Sequence, residues 1–351
     1  MLRTFTLAAF AAMCLASSAR AQAAEAPRTY TIPIPPGGIP ATVELPAPYA
    51  IPLPPTTEPN WEIGARYWWS EGKTSFSITS QMLNPTLGDP TSKLTYDNMQ
   101  GNTAELFFRA TNGGNIFAKG FAGGGWLDGG SLDDEDFFTG QIKFSDTFSR
   151  IEGDSLAYTT IDLGYDFHLL DGPSKVIFGP FAGFNYWQET AIAHGARCNP
   201  DDVGGAFCGP PGFIEVPFST KVIRNQANWA SLRLGAELRM RFWDRLSLIA
   251  DAAALPVAYV WNEDSHYLRN DLGNPPNAVD RGTGWGYQLE GEVRYDLTPN
   301  WELGAGVRYW FADATHGNSE FVHFNTKVEL DDFSSQRFGV FGDVTWRFST
   351  F

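Results

Sequence analysis

The sequence is short of cysteine, histidine and basic residues. It has 3 cysteines, 5 histidines, and 25 lysines and arginines against 40 aspartates and glutamates, which gives a formal net charge of −15. This acidic balance excludes nucleic acid as a partner, because binding phosphates requires a basic surface. A cationic partner or substrate would complement such a surface.

Long apolar runs are also missing beyond the first residues of the chain. Met1 to Ala21 is predicted to be a secretory signal, in which Arg3 precedes an apolar core and Ala19 to Ala21 forms an Ala-x-Ala cleavage site. After residue 21 no run of about 18 apolar residues occurs, which excludes a transmembrane helix.

The scarcity of cysteine limits covalent cross-links to one. Cys14 lies in the predicted signal, so Cys198 and Cys208 are left, on either side of a turn-rich loop. A single disulfide across this loop fits an oxidising exterior. A zinc site is the competing interpretation, and it would have only His194 nearby as a further ligand.

The chain after the signal is predicted to have two parts. Residues 24–59 are rich in proline, which favours an extended polyproline conformation and is incompatible with a central β-strand. We interpret this part as a periplasmic segment. Residues 60–351 are predicted to form a single barrel, since barrels often exceed the usual length of one domain.

Apolar side chains recur at every second position in the second part. Between Trp301 and Phe311 one parity is entirely apolar, whereas glycine and charged residues dominate the other. An aromatic outer face with a polar inner face is typical of a membrane barrel. The predicted fold class is therefore all-β: a closed antiparallel transmembrane β-barrel in a bacterial outer membrane. Its ten strands are predicted to begin near Trp61, Lys93, Ile116, Ser155, Lys175, Lys221, Leu246, Gly284, Trp301 and Glu329.

Short turns are predicted to alternate with long loops, as in outer-membrane barrels. The short turns are residues 112–115, 171–174, 243–245 and 298–300, and the long loops are residues 80–92, 138–153, 194–217, 269–282 and 318–327. Asp251 and Asp264 have opposite parity on the seventh strand. Both can face inward only if a bulge lies near Leu255 and Pro256.

Two polar stretches are predicted to face each other at the outer rim. Asp134 and Asp136 share one side of an extended segment, and Asp264 and His266 have the same relation. The third and seventh of ten strands lie roughly opposite each other around a barrel. Such a set could activate water without a metal: Asp264 would orient His266, His266 would take a proton, and one carboxyl of the pair would donate one. A solvated acidic face, or a divalent-cation site that bridges lipopolysaccharide, is the alternative.

The chain resembles the omptin family of ten-stranded outer-membrane endopeptidases from about Asn60 to its end. Gly129 to Phe137 is similar to the family's Gly-Gly-Asn-Met-x-Asp-x-Asp-Trp, and Asp264 to Tyr267 is similar to its Asp-Glu-His-Tyr. Ser92 to Tyr96 and Leu297 to Asn300 stand where the family has a Ser-x-Leu-Asp-Trp strand and a Val-Thr-Pro-Asn turn. The resemblance implies an endopeptidase whose catalytic residues are Asp134, Asp136, Asp264 and His266.

The chain departs from the family pattern in the substrate pocket. Phe76 and Asn262 stand where the resemblance places an acidic pocket for basic substrate residues. Glu263, Asp133 and Glu135 are nearby acids that could partly compensate. The family's lipopolysaccharide contacts are replaced too, since Phe184, Tyr186 and Gln188 occupy those positions, so activation by this lipid is not carried over.

The sequence thus predicts a monomeric outer-membrane endopeptidase that needs no cofactor, contacts outer-membrane lipid and cuts a polypeptide, with a cationic polypeptide as the complementary substrate. A catalytically silent surface adhesin on the same scaffold is the first alternative. A small passive pore is the second, and inward Arg66, Glu302 and Arg308 argue against it because their ion pairs would fill a narrow lumen.

Overall fold

The computed structural model describes residues 60–112, 115–171, 174–199 and 213–349. The predicted signal, the proline-rich segment and Cys208 lie outside the described residues. The described chain forms antiparallel strands and one short 3-10 helix, Asn270–Leu272. No helix within these ranges is long and apolar enough to cross a membrane. The strands are β1 (Trp61–Thr79), β2 (Ser92–Thr111), β3 (Ile116–Leu127), β4 (Ser131–Phe138), β5 (Ile142–Ile151), β6 (Ser155–Tyr165), β7 (Phe167–Leu170), β8 (Val176–Cys198), β9 (Ile214–Trp243), β10 (Leu246–His266), β11 (Ala278–Asp296), β12 (Trp301–Phe321) and β13 (Thr326–Phe348).

Ten of these strands pair in a closed circuit. β1 pairs with both β2 and β13, and the circuit runs on through β3, β6, β8, β9, β10, β11 and β12. The ten predicted strands correspond to these ten, so the predicted all-β antiparallel architecture is confirmed. Because every strand of the circuit has two neighbours, it leaves no free sheet edge.

The prediction of a long loop is wrong for two segments. Residues 138–153 were expected to be a loop, but most of them form β5, which makes a hairpin with β4 and pairs with β8. Residues 318–327 shorten to a tight turn, because β12 runs to Phe321 and β13 starts at Thr326. β11 also starts at Ala278, earlier than expected, so that the predicted loop at 269–282 loses its last residues to a strand.

A belt of apolar side chains covers the outside of the circuit. Leu106, Ile161 and Leu163 are 57–68% exposed although they are apolar. Tryptophans mark both edges of the belt, with Trp69, Trp126 and Trp285 at the end near the long loops and Trp243, Trp301 and Trp346 at the end of the short turns. An apolar band between two aromatic girdles is the surface that a barrel presents to lipid.

Ion pairs fill the lumen at the depth of this belt. The fully buried Arg308 lies 2.6 Å from Glu105 and 2.7 Å from Glu290, and Arg66 lies 2.9 Å from Glu292. Buried charges of this kind are tolerable only when they are paired and hydrogen-bonded. A cavity of about 80 Å³ lies beside Arg66, Glu290 and Glu292.

An aromatic layer closes the lumen above the ion pairs. Trp310 lies with its ring centroid 5.1 Å from those of Trp68 and Tyr158 and 5.6 Å from that of Trp187. These four side chains are at most 3% exposed. The layer is therefore a floor beneath the outer part of the barrel.

The bulge predicted on β10 is present. The pairing register of β10 shifts between Leu255 and Ala258 on one side and between Ala254 and Val257 on the other. Asp251 consequently faces the lumen, where it contacts Arg233 at 3.2 Å, while Asp264 also faces inward. The extra residues around Pro256 restore the inward parity of the upper half of the strand.

Candidate active site

The acidic pair lies on β4, which is a separate strand and not the end of β3. Gly129 and Gly130 break the chain between the two strands, with φ of 92° and 119°, a region that favours glycine. Leu132 is fully buried in the lumen. Asp134 and Asp136 have its parity, so both point into the mouth of the barrel.

Asp133 and Glu135 point the other way, to the outside of the barrel wall. Asp133 accepts a hydrogen bond of 3.3 Å from the side chain of Asn199, and Glu135 lies 2.5 Å from Lys143. Alternation along β4 predicts that these two acids point away from Asp134 and Asp136, and their contacts on the outer face agree, so they do not supplement the charge of the substrate pocket.

The Asp–His pair lies at the outer end of β10. Nε2 of His266 is 2.8 Å from Oδ2 of Asp264. The backbone N–H of His266 donates to the side chain of Asn277, whose own amide donates to the carbonyl of Gly273 at 2.9 Å. The imidazole is thus oriented by a carboxylate, and its backbone is held by the loop that leads to β11.

The site lies well beyond the apolar belt. Phe76, Leu94 and Asp134 form one row across β1, β2 and β4. Phe76 is seven residues past Trp69 of the girdle, roughly 23 Å further along the strand at about 3.3 Å per residue. The ionisable groups of the mouth therefore lie outside the membrane-spanning segment.

The two pairs are close enough to change each other's proton affinity. Burial and the neighbouring charge of Asp136 raise the pKa of Asp134 to about 7, against the opposing charge of His266. Burial also raises the pKa of Asp136, against a hydrogen bond from Ser92. Burial disfavours the imidazolium of His266, but the charge and hydrogen bond of Asp264 outweigh it and raise the pKa of His266 to about 9. The pKa of Asp134 thus lies below that of His266 in the same mouth.

The three residues predicted for the substrate pocket have different surroundings in the structure. Phe76 is buried in a stack, with its ring 5.1 Å from that of Phe333 and 6.4 Å from that of Tyr96. Asn262 is fully buried below Asp264 and donates to Asp280 at 2.8 Å. Glu263 has the opposite parity to both of its inward neighbours on β10, so its predicted place in the pocket is wrong.

Sequence reasoning missed three buried residues that border the pairs. Asp280 on β11 is the cross-strand partner of Asn262, and burial raises its pKa to about 6. Tyr96 on β2 lies within electrostatic reach of Asp264, Asp134 and Asp280. Asn225 on β9 is the cross-strand partner of Asp264. The inward parity of Ala278, Asp280 and Gly282 was the available signal for Asp280, which had been placed in a loop.

Cys198 is disulfide-bonded, at the end of β8, while Cys208 lies outside the described residues. Within the described ranges, no group of three or more histidine, cysteine, aspartate or glutamate side chains is arranged to hold a metal ion.

The closed circuit, its apolar belt and the polar mouth define an outer-membrane β-barrel protein. The sequence matches the family model described as Protochlamydia outer membrane protein over residues 75–347, and the chain belongs to that family. Among curated proteins, none matches the chain.

The fold of the chain is similar to that of a solved outer-membrane protein. The outer membrane protease OmpT from Escherichia coli matches 82% of this chain and 97% of its own, with a TM-score of 0.62 and 13% identity. The outer membrane protein OprG from Pseudomonas aeruginosa matches 84% and 98%, with a TM-score of 0.34 and 10% identity. At 13% identity the likeness to OmpT establishes the fold alone. The predicted resemblance is therefore confirmed for the architecture, and the family shown is the Protochlamydia outer membrane protein family.

Proposed function

We propose that this outer-membrane barrel is an endopeptidase that cleaves polypeptides at its outer mouth. The observation that carries the proposal is the placement of two inward carboxyls from β4 against an Asp–His pair from β10, above a lumen closed by aromatic side chains. Four ionisable groups brought together from distant parts of the chain, with raised pKa values for Asp134, Asp136 and His266, are typical of a catalytic site.

The pKa values favour one assignment of acid and base. Between about pH 7 and pH 9 Asp134 is ionised and His266 is protonated. Asp134 is then the general base and His266 the general acid. These roles are the reverse of those expected from the sequence, where His266 accepted the proton. The Asp264 charge accounts for the reversal, because it holds the proton on the imidazole.

The reaction then proceeds in two steps. Asp134 takes a proton from water as the water oxygen attacks the peptide carbonyl carbon, and the carbonyl oxygen becomes an oxyanion. The oxyanion re-forms the carbonyl as the C–N bond breaks, while His266 gives its proton to the leaving nitrogen. Exchange with solvent returns a proton to His266 and removes one from Asp134. Asp136, beside the base, helps to hold the attacking water.

The chemistry of the mouth favours a cationic peptide. Asp280, Asp264 and the β4 pair line it, and the whole chain carries a net charge of −15. A cleft lined by one sign of charge concentrates the opposite sign. We propose a monomer in outer-membrane lipid that uses neither metal nor cofactor. The packed lumen argues against the alternative of a passive pore.

The test is a comparison of inward and outward acids of one short strand. The purified full-length protein is offered a mixed peptide library, and the products are read by mass spectrometry. Asp134→Asn, Asp136→Asn and His266→Gln should each abolish cutting, whereas the outward Asp133→Asn and Glu135→Gln should cut like the wild type. A wild type that cuts nothing, or inward and outward variants that cut equally, would refute the protease. Binding to cells or matrix that survives all five changes would then favour the adhesin.

A further inference from the structure

Two buried hydrogen-bond donors beside Asp264 have no partner. The hydroxyl of Tyr96 and the side-chain amide nitrogen of Asn225 are both inaccessible and make no hydrogen bond within the described chain. Tyr96 is 1% exposed and Asn225 is 4% exposed. An unpaired buried polar group destabilises the folded state, so native proteins keep few of them without a functional reason.

The position of Tyr96 is fixed from below and from the side. Its ring stacks on that of Phe76, which stacks in turn on Phe333. Tyr96 pairs with Leu132 of β4, two residues before Asp134. The hydroxyl is therefore held by packing one layer beneath the carboxyl pair, with Asp264 as its strongest electrostatic neighbour.

Asn225 lies beside Asp264 on the neighbouring strand β9. It is paired directly with Asp264 across β9 and β10. Oδ1 of Asp264 is also buried without a partner, although both donors border this carboxylate. Within the described chain neither donor satisfies an acceptor, so both retain unused hydrogen-bonding capacity beside Asp264.

We propose that Tyr96 and Asn225 are catalytic donors that bind the oxyanion of the tetrahedral intermediate. The proposal rests on the proposed peptidase function. Attack by water moves the carbonyl π electrons onto the oxygen. The O–H of Tyr96 and the side-chain N–H of Asn225 stabilise that charge until the C–N bond breaks. Burial and three carboxylates raise the pKa of Tyr96 well above its usual range, so its hydroxyl keeps its proton and donates throughout the working pH range. Fixed donors of this type, often from tyrosine or asparagine, stabilise such intermediates in other acyl-transfer sites.

Variants that remove one donor at a time test the proposal. Tyr96→Phe removes the hydroxyl and keeps the aromatic stack, and it should lower kcat by about 100- to 1,000-fold with KM nearly unchanged. Asn225→Ala should act in the same direction. Tyr158→Phe is the matched control, since Tyr158 is also buried in the lumen but its hydroxyl bonds to Thr103 at 3.0 Å, below the site. This control should leave kcat unchanged.

A binding measurement separates a chemical role from a structural one. A peptide aldehyde, whose hydrate mimics the intermediate, should bind Tyr96→Phe about 100-fold more weakly, whereas the product peptides should bind the variant and the wild type alike. If the wild type and its inward acids behave as proposed but Tyr96→Phe retains full kcat and aldehyde affinity, this inference alone is overturned. If the wild type cleaves nothing, both the proposed peptidase function and the proposed oxyanion donors are refuted.

Discussion

Oδ2 of Asp264 lies 2.8 Å from Nε2 of His266, whereas Oδ1 of the same carboxylate is buried and makes no hydrogen bond among the described residues. The charge of Asp264 is therefore not shared with another donor of the protein. It acts on the imidazole, which explains why a buried histidine favours its charged form.

Activity should depend on pH as a bell that rises through about pH 7 and falls through about pH 9. Asp134 has a raised pKa and acts as base only when ionised, so the rate increases as pH passes its value. His266 acts as acid only when protonated, so the rate decreases as pH passes its value. A profile of kcat/KM against pH measures both limbs. A rise near the ordinary histidine value followed by a plateau would show that His266 is the base.

Asp264→Asn should move the alkaline limb of that profile to lower pH. Asparagine keeps the shape of the side chain but removes the charge, so burial then disfavours the imidazolium and the pKa of His266 falls. The maximal rate should drop roughly 100-fold, because general acid catalysis is lost over most of the range. Asp271→Asn is the control, since Asp271 is exposed in the neighbouring loop and its loss should leave the profile in place. An alkaline limb unchanged by Asp264→Asn would contradict the assignment.

Arg308→Met should destabilise the barrel by about 3–5 kcal/mol, because it removes one of the two guanidinium groups that pair with the buried Glu105 and Glu290 and leaves both carboxylates to Arg66. Guanidinium unfolding of the detergent-solubilised protein measures the change. Arg281→Met provides the comparison, since its exposed pair with Glu320 should contribute at most about 1 kcal/mol. Adding Glu105→Gln and Glu290→Gln to Arg308→Met should restore part of the stability. A loss no larger than that of Arg281→Met would mean that the ion pairs do not hold the lumen together.

The wild-type protein should conduct no ions in a planar bilayer. The aromatic layer around Trp310 and the ion pairs beneath it fill the lumen, and Trp310→Ala alone should still give no conductance because the ion pairs stay in place. Discrete conductance steps from the wild type, at a frequency that rises with protein concentration, would favour the pore instead.

Much of the fold can be predicted from the alternation of apolar and polar residues, because this alternation has one physical cause. Lipid outside and polar groups inside leave a period of two on every membrane strand, so ten strands and the bulge at Leu255 and Pro256 could be predicted. The sequence did not predict the hairpin of β4 and β5, because the hairpin lies beyond the apolar belt, where no lipid imposes an apolar face. The sequence did not predict the turn at 322–325, because the outward positions of the two strands there, such as Glu320 and Lys327, are polar and lack the apolar face that lipid imposes.

The sequence predicts which site residues of a single strand point to the same side of the barrel wall. Parity placed Asp134 with Asp136 and Asp264 with His266, and it could have excluded Glu263. It could not identify Tyr96, Asn225 or Asp280 as neighbours of Asp264, because they come from β2, β9 and β11 and meet only through the pairing register. Nor could it assign acid and base, since the pKa values depend on burial that no local pattern records.

The floor of aromatic side chains around Trp310 also gives the molecule a direction. A peptide that enters the mouth meets a closed surface and has no route toward the short turns on the far side. Under the proposed peptidase function, both fragments would leave by the opening through which the substrate came. The barrel would thus process the surroundings of the cell without importing anything, and the permeability barrier of the membrane would be the same before and after each turnover.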